Sequence, residues 1–214
     1  MEFKIKERFK VLMFLLFVIT IVSCAKIYNK PDFRLIKEKF EMHPRLRIDG
    51  FYYDTIIIPE NISPNYPRKV GIRPMVMYGD GTVFKMYGVF TCPWSNDENI
   101  KNLIEKLIME VKYHIEKDKL TIKNKPNIWD WGMYRINENE LLFQTYRNFQ
   151  GDYFLVDYQG KILNDTTVQL KIVNNRTRNA TDIGKMEEYK FVKFHLKPDS
   201  NNYIKANITQ FGKF

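Results

Sequence analysis

The chain has 214 residues, of which 44% are hydrophobic and 15% aromatic, so a fully disordered chain and a small scaffold held together by disulfides are excluded. Its 34 Lys and Arg against 25 Asp and Glu give a net charge of +9, but bases and acids are interspersed along the whole length. Because nucleic-acid binders gather their basic residues into a stripe or patch, we expect no nucleic-acid partner.

Residues 1–23 carry the pattern of an export signal. Four basic residues within 1–10 precede an uncharged apolar run at 11–22. As a helix, those 12 residues would cover about 18 Å, well short of the roughly 30 Å hydrocarbon core of a bilayer. The sequence therefore predicts a signal peptide that is removed, and not a helix that spans the membrane.

The apolar run ends in Ile21-Val22-Ser23-Cys24, which resembles the lipobox of bacterial lipoproteins. The resemblance implies cleavage before Cys24, a thioether-linked diacylglycerol on its sulfur, and an acylated (palmitate-type) new amino terminus. Several acyl chains give a stable hold on a membrane. We therefore expect a lipid anchor in the bacterial cell envelope, with the inner or outer membrane left open. The alternative is a plain secretory signal with a coincidental cysteine.

Residues 24–49 are predicted to be a lipidated tether. Its lysines and arginines either lie against anionic head groups or keep the segment solvated.

Residues 50–197 have the composition of a β-rich domain. Runs of β-branched and aromatic residues alternate with short turns, among them Gly79-Asp80-Gly81, Asn137-Glu138-Asn139 and Gln159-Gly160. Short turns make neighbouring strands antiparallel. The predicted strands cover Gly50–Ile58, Ile72–Tyr78, Thr82–Phe90, Gly132–Ile136, Glu140–Arg147, Asp152–Tyr158, Lys161–Leu163, Thr166–Val173 and Glu188–Leu196.

One amphipathic helix is predicted at about 96–117. Apolar residues recur there at spacings of three and four, and Ser95 and Glu98 fit a capping box. We expect its apolar stripe to pack on the sheet. Residues 198–214 are predicted to be a polar, loosely packed C-terminal tail.

The fold class that follows is mainly β: an antiparallel, about eight-stranded barrel or highly curved sheet with one helix packed on it. Closure removes the exposed edges of such a sheet. The pattern resembles the lipocalin-like (calycin) family, whose barrels open with Gly-x-Trp; here Gly50-Phe51-Tyr52 stands in that place. The chain departs from the family in having Tyr for Trp and a helix in mid-chain. Barrels of this strand number either fill with side chains or hold one small ligand.

Motifs for catalysis are missing from the sequence. The chain has no HExxH, no phosphate-binding loop and no Gly-x-Ser-x-Gly, and His43, His114 and His195 fall on different segments. We therefore assign no catalytic residue, metal or cofactor. If Cys24 is acylated, Cys92 has no intramolecular partner, and we expect it to be an inert, buried thiol.

Five aromatic residues on different predicted strands are the candidate ligand-binding residues: Tyr52, Phe84, Tyr134, Phe143 and Tyr153. They either line a cavity for a small apolar ligand or form the core. Three hypotheses follow. The first is a lipid-anchored, non-catalytic binding module with an open cavity. The second is a structural or protein-interaction protein of the envelope with a filled core, and the third, ranked last, is an enzyme.

Overall fold

The computed structural model describes residues 26–36, 40, 44, 46–59, 68–86, 88–94, 99–117, 128–176 and 182–211. The predicted signal peptide, Cys24 and His43 lie outside these residues. Within these described residues, nine strands and two α-helices occur in the order β1 (Gly50–Ile58), β2 (Lys69–Met77), β3 (Thr82–Lys85), β4 (Phe90–Pro93), α1 (Ile100–Glu116), β5 (Trp131–Asn137), β6 (Glu140–Phe149), β7 (Asp152–Asn164), β8 (Thr167–Asn175), β9 (Met186–Lys193) and α2 (Tyr203–Ala206).

Eight of these strands form a closed antiparallel barrel, which confirms the predicted fold class. Each barrel strand pairs with the next one along the chain, in the order β1, β2, β3, β5, β6, β7, β8 and β9. The ring closes because β1 pairs with β2 on one edge and with β9 on the other. The remaining strand, β4, pairs with the beginning of β2 beside β3.

Two of the predicted divisions between strands are wrong. The strand predicted at Thr82–Phe90 is two strands, because β3 ends at Lys85 and β4 begins at Phe90. The turn predicted at Gln159-Gly160 lies inside β7, which runs without a break to Asn164. Gly160 is needed there for close approach of β8, since a Cβ atom would lie 2.1 Å from the carbonyl oxygen of Gln169. The glycine therefore indicates strand packing and not a turn.

The predicted turn at Gly79-Asp80-Gly81 does join β2 to β3. Gly81 has φ +82°, a conformation that favours glycine, and the Asp80 carboxylate accepts a hydrogen bond from the Thr82 amide at 3.0 Å.

Strand residues alternate between two apolar clusters. The interior cluster receives side chains from all eight barrel strands and none from α1. Its members are Leu46, which precedes β1, and Tyr52, Met75, Met77, Val83, Tyr134, Leu141, Phe143, Val156, Tyr158, Ile162, Val168, Leu170, Ile172 and Tyr189. The outer cluster contains the other strand face together with α1 and both terminal segments. The barrel thus has a core inside its wall and a second core on one side of its outer surface.

Helix α1 packs on the outer face of β2 and β4. Its buried residues are Leu103, Leu107, Val111 and Ile115, as the predicted stripe requires. The predicted start is too early: the helix begins at Ile100, and Asn99 is the N-cap, whose side chain accepts from the Lys101 amide at 2.9 Å. The predicted capping residues Ser95 and Glu98 lie outside the described residues.

Residues 26–36 of the segment predicted as a tether lie on the barrel. The Lys26 amide donates to the Asp152 carboxylate at 2.8 Å, and the Tyr153 amide donates to the Lys26 carbonyl at 2.8 Å. Phe33 and Leu35 are then buried in the outer cluster. We call residues 26–36 the strap, and the end of the barrel that holds the β6–β7 hairpin the Lys26 end.

The C-terminal segment also packs. Ile204 of α2 and Phe211 are buried in the outer cluster, and the Phe33 ring lies edge-on to the rings of Tyr146 and Phe211, at 5.6 Å between centroids in each pair. Among the residues that the structure describes, no helix has both the length and the apolar character that a membrane span requires.

Candidate functional site: an ion cluster inside the barrel

Among the described residues, four charged side chains lie inside the barrel, next to the apolar interior cluster. Asp54 of β1, Arg73 of β2, Lys85 of β3 and Glu187 of β9 each occupy the strand face that contributes to the interior cluster. Their exposed fractions are 7%, 8%, 0% and 4%. We call these residues the ion cluster. Such burial of charge is rare unless the charges are paired.

Glu187 connects the cluster. Its Oε1 lies 2.9 Å from an Nη atom of Arg73, and its Oε2 lies 3.1 Å from Nζ of Lys85. Arg73 also forms an ion pair with Asp54, its direct cross-strand neighbour. The hydroxyl of Tyr189 donates to Oε2 of Glu187 at 3.0 Å. The two cations and two anions therefore form one connected chain of contacts with no net formal charge.

Burial and pairing shift the pKa values in opposite directions. Burial raises the pKa of Glu187, but Lys85 and Arg73 outweigh it and hold that pKa below its usual value. Burial lowers the pKa of Arg73, but Tyr189, Glu187 and Asp54 outweigh burial and raise that pKa above its usual value. Arg73 and Glu187 thus form the ionised centre of the cluster.

Burial has the largest effect on the pKa values of Asp54 and Lys85, which lie at the two ends of the ion cluster. It raises the pKa of Asp54 despite the opposing pull of Arg73, and it lowers the pKa of Lys85 despite Glu187. The ammonium group of Lys85 also lies 4.6 Å from the centre of the Tyr158 ring, close enough for a cation–π interaction. Burial and Glu187 raise the pKa of Tyr189 well above its usual value, so the phenol keeps its proton and remains a donor.

The described side chains that pack around the ion cluster are almost fully buried. Tyr52, Met75, Tyr158 and Tyr189 around it are at most 1% exposed. A cavity large enough for a ligand would leave the side chains that line it accessible to a water-sized sphere. Chemically, the arrangement therefore specifies which strands meet, since a register shift would leave a charge buried without its partner.

The five predicted ligand-binding residues are divided between the two clusters. Tyr52, Tyr134 and Phe143 point into the barrel and are at most 1% exposed. Phe84, at 0%, and the partly buried Tyr153 belong to the outer cluster. The structure therefore brings three of the five together inside the barrel and places the other two on its outer side.

Sequence reasoning missed the ion cluster, although a signal was present. Asp54, Arg73 and Lys85 each sit two residues from an apolar side chain of the same face: Tyr52, Met75 and Val83. A charged residue on the apolar face of an alternating strand is an unusual pattern that points to a buried pair.

The other candidate groups are scattered. His114 lies on α1, His195 follows β9, and Cys92 is partly buried on β4 against the outer cluster. Within the described ranges, no three His, Cys, Asp or Glu side chains are grouped as metal ligands would be.

Depressions on the outer surface also occur. One of about 470 Å³ lies between the strap and β6 to β8, beside Gln144, Asp157 and Asn174. The Gln144 amide donates to the Asp157 carboxylate at 2.8 Å and to the Asp32 carbonyl at 3.0 Å. These polar groups attach the strap to the barrel wall.

No protein family, no curated protein and no solved structure matches this chain.

Proposed function

We propose that this chain is a lipid-anchored protein of the bacterial cell envelope that acts through its outer surface, as a structural or protein-interaction module. The observation that carries the proposal is the packing of the barrel interior. Met75, Val83, Tyr134 and Leu170 are 0% exposed, and the space between the strands is occupied by their side chains and the ion cluster. This packing favours the second of the three hypotheses over a module with an open cavity.

The location part of the proposal depends on the lipobox at 21–24. Lipid attachment at Cys24 would keep a folded barrel at a membrane surface without any spanning helix. Acylation also explains why a chain with only two cysteines, Cys24 and Cys92, would carry one directly after an export signal.

The anchor is tested by expressing the full chain in a bacterium and measuring the intact mass of the detergent-extracted protein. We expect residues 1–23 to be absent and Cys24 to carry three acyl chains. A Cys24→Ser chain should leave the membrane fraction, whereas a Cys92→Ser chain should stay in it. A Cys24→Ser chain that still partitions with membranes and is cut at the same site would contradict the anchor.

The mode of action is tested separately by native mass spectrometry of the full lipidated chain released from detergent. We expect the mass of the lipidated chain alone, with no further small molecule. An apolar molecule that co-purifies in stoichiometric amount, and is lost on a Tyr134→Trp substitution inside the barrel but not on Phe84→Trp outside it, would favour the ligand-binding hypothesis instead.

A further inference from the structure

We infer that the Lys26 end of the barrel lies directly on the surface of an anionic phospholipid bilayer. This inference rests on the proposed lipid anchor and specifies how the barrel is oriented by it. Three observations support it: the length of chain between the anchor and the barrel, the position of the exposed apolar side chains, and the charge at this end.

The chain is attached to the barrel almost as far as Cys24. Tyr28 and Lys26 both pair with Tyr153, through a 2.8 Å bond from the Tyr28 amide to the Tyr153 carbonyl and a 2.8 Å bond from the Tyr153 amide to the Lys26 carbonyl. Only two chain steps separate the Cα atoms of Cys24 and Lys26, which is about 7 Å at full extension. An acylated Cys24 would thus keep the β6–β7 hairpin within reach of the head groups and leave no long tether.

Exposed apolar side chains also occur at the Lys26 end. The strand directions place β1, β6 and β8 with their last residues, and β5, β7 and β9 with their first residues, at the Lys26 end. Five of the eleven large hydrophobic side chains exposed in the described ranges lie there: Tyr28, Ile57, Trp129, Val173 and Ile183. Leu163 and Leu196 lie at the opposite end, Met186 lines a depression with Glu140 and Lys161, and the rest lie on helical segments.

Aromatic rings at this end suit a membrane interface. The ring of Tyr28, which is 37% exposed, stacks on Phe154 at 4.8 Å between centroids, and Phe149 packs edge-on against Phe154 at 6.5 Å. Trp129 is 38% exposed. Tyr and Trp side chains are enriched at the head-group level of bilayers because one end of each ring is apolar and the other is polar.

The charge at this end matches anionic lipids. Lys26, Arg68, Lys69 and Lys185 lie in the strap or next to strand ends here. The neighbouring carboxylates of Asp152 and Asp182 accept hydrogen bonds within the protein, from the Lys26 amide and from Arg147 and Asn175. An excess of basic side chains close to a surface is attracted to phosphatidylglycerol-type head groups.

The experiment compares two labelled positions on the full lipidated chain. Ile183 and Leu163 are 53% and 48% exposed and lie at opposite ends of the barrel. Ile183→Cys and Leu163→Cys, each in a Cys92→Ala background, are labelled with an environment-sensitive fluorophore. The proteins are then inserted into vesicles of phosphatidylethanolamine and phosphatidylglycerol with or without nitroxide-bearing lipids.

We expect the label at position 183 to shift to the blue and to be quenched by nitroxide lipids, while the label at 163 keeps its emission in water. Equal quenching at both positions, or emission as in water at both, overturns the orientation, including the case in which this end contacts a protein and not lipid. The intact mass separates the two proposals: an unmodified Cys24 overturns anchor and orientation together, whereas a triacylated Cys24 with unquenched position 183 overturns the orientation alone.

Discussion

At the scale of single residues, Glu187 connects the charges inside the barrel. It contacts Arg73 and Lys85 and accepts from Tyr189, and it is 4% exposed. Removing one member of a buried ion cluster is more damaging than the strength of any single contact indicates, because the remaining charges stay buried without compensation. Substitutions at neighbouring positions on β9 should therefore change the free energy of unfolding by very different amounts.

We predict that Glu187→Gln lowers the free energy of unfolding by about 3 kcal/mol or more, since Arg73 and Lys85 lose the anion that compensates them. The matched control is Glu188→Gln, because Glu188 is the next residue and is exposed on the outer face of β9; it should change stability by less than about 0.5 kcal/mol. Urea unfolding at neutral pH measures both. Similar losses for the two variants would show that the ion cluster does not stabilise the fold.

A second charged residue with two side-chain partners lies in the connection between β8 and β9. Asp182 accepts from Arg147 on β6 and from Asn175 on β8, at 2.6 Å in each case. Burial raises the pKa of Asp182, but these hydrogen bonds outweigh burial and lower it. A carboxylate whose pKa is lowered in the folded state stabilises the fold above its unfolded pKa, about 3.9, and that contribution is lost as the pH falls through the folded value.

We therefore predict that Asp182→Asn destabilises the protein by about 1 kcal/mol at neutral pH. The difference from the parent should shrink as the pH falls below about 3.9. Asp165→Asn, in the exposed β7–β8 turn, is the control and should leave stability unchanged. The measurement is urea unfolding over a series of pH values; a difference that does not vary with pH contradicts the assignment.

At the scale of elements, the apolar stripe of α1 packs the helix on the barrel wall. Leu107 is 2% exposed and faces β2 and β4, whereas Met109 on the other side of the helix is 63% exposed. The stripe could be predicted from spacing alone, because a helix places residues three and four apart on one face. The N-cap could not, because several Asn, Asp and Ser residues precede the stripe and each is a suitable cap.

We predict that Leu107→Ala lowers the free energy of unfolding by about 2 to 5 kcal/mol, since it leaves a cavity between α1 and the barrel wall. Met109→Ala should change it by less than about 0.5 kcal/mol. Thermal or urea unfolding distinguishes the two variants. Equal effects would mean that the two faces of α1 are equally exposed in solution.

At the scale of the whole molecule, the two terminal segments stabilise each other through the outer cluster. Phe33 of the strap and Phe211 near the C-terminus are 0% and 3% exposed, and each ring also contacts Tyr146 of β6. The strap and the C-terminal segment therefore pack in one core with the barrel wall.

We predict that Phe33→Leu and Phe211→Leu are not additive. In a double-mutant cycle from urea unfolding, the combined loss should differ from the sum of the single losses by about 0.5 kcal/mol or more, because the rings share contacts. Phe33→Leu with Phe191→Leu is the control pair. Phe191 packs on Tyr52 in the interior cluster, so those losses should add within about 0.5 kcal/mol. Additivity in both pairs would contradict coupling between the termini.

The sequence by itself determined the elements that depend on near neighbours: the alternation that predicts the strands, the spacing that predicts α1, and the turn at Gly79-Asp80-Gly81. The prediction of a turn at Gly160 is wrong, because only the approach of β8 distinguishes a glycine needed for packing from a glycine in a turn. The lipobox is likewise a local pattern, and the lipid anchor stays a prediction.

Only the tertiary structure decided which side chains meet inside the barrel. Asp54 and Glu187 belong to strands far apart in the chain, and they come together because β1 and β9 close the ring with a fixed register. The same closure places Phe84 and Tyr153 outside and Tyr134 inside. Register around a closed barrel depends on all eight strands at once, so no local pattern in the sequence specifies it.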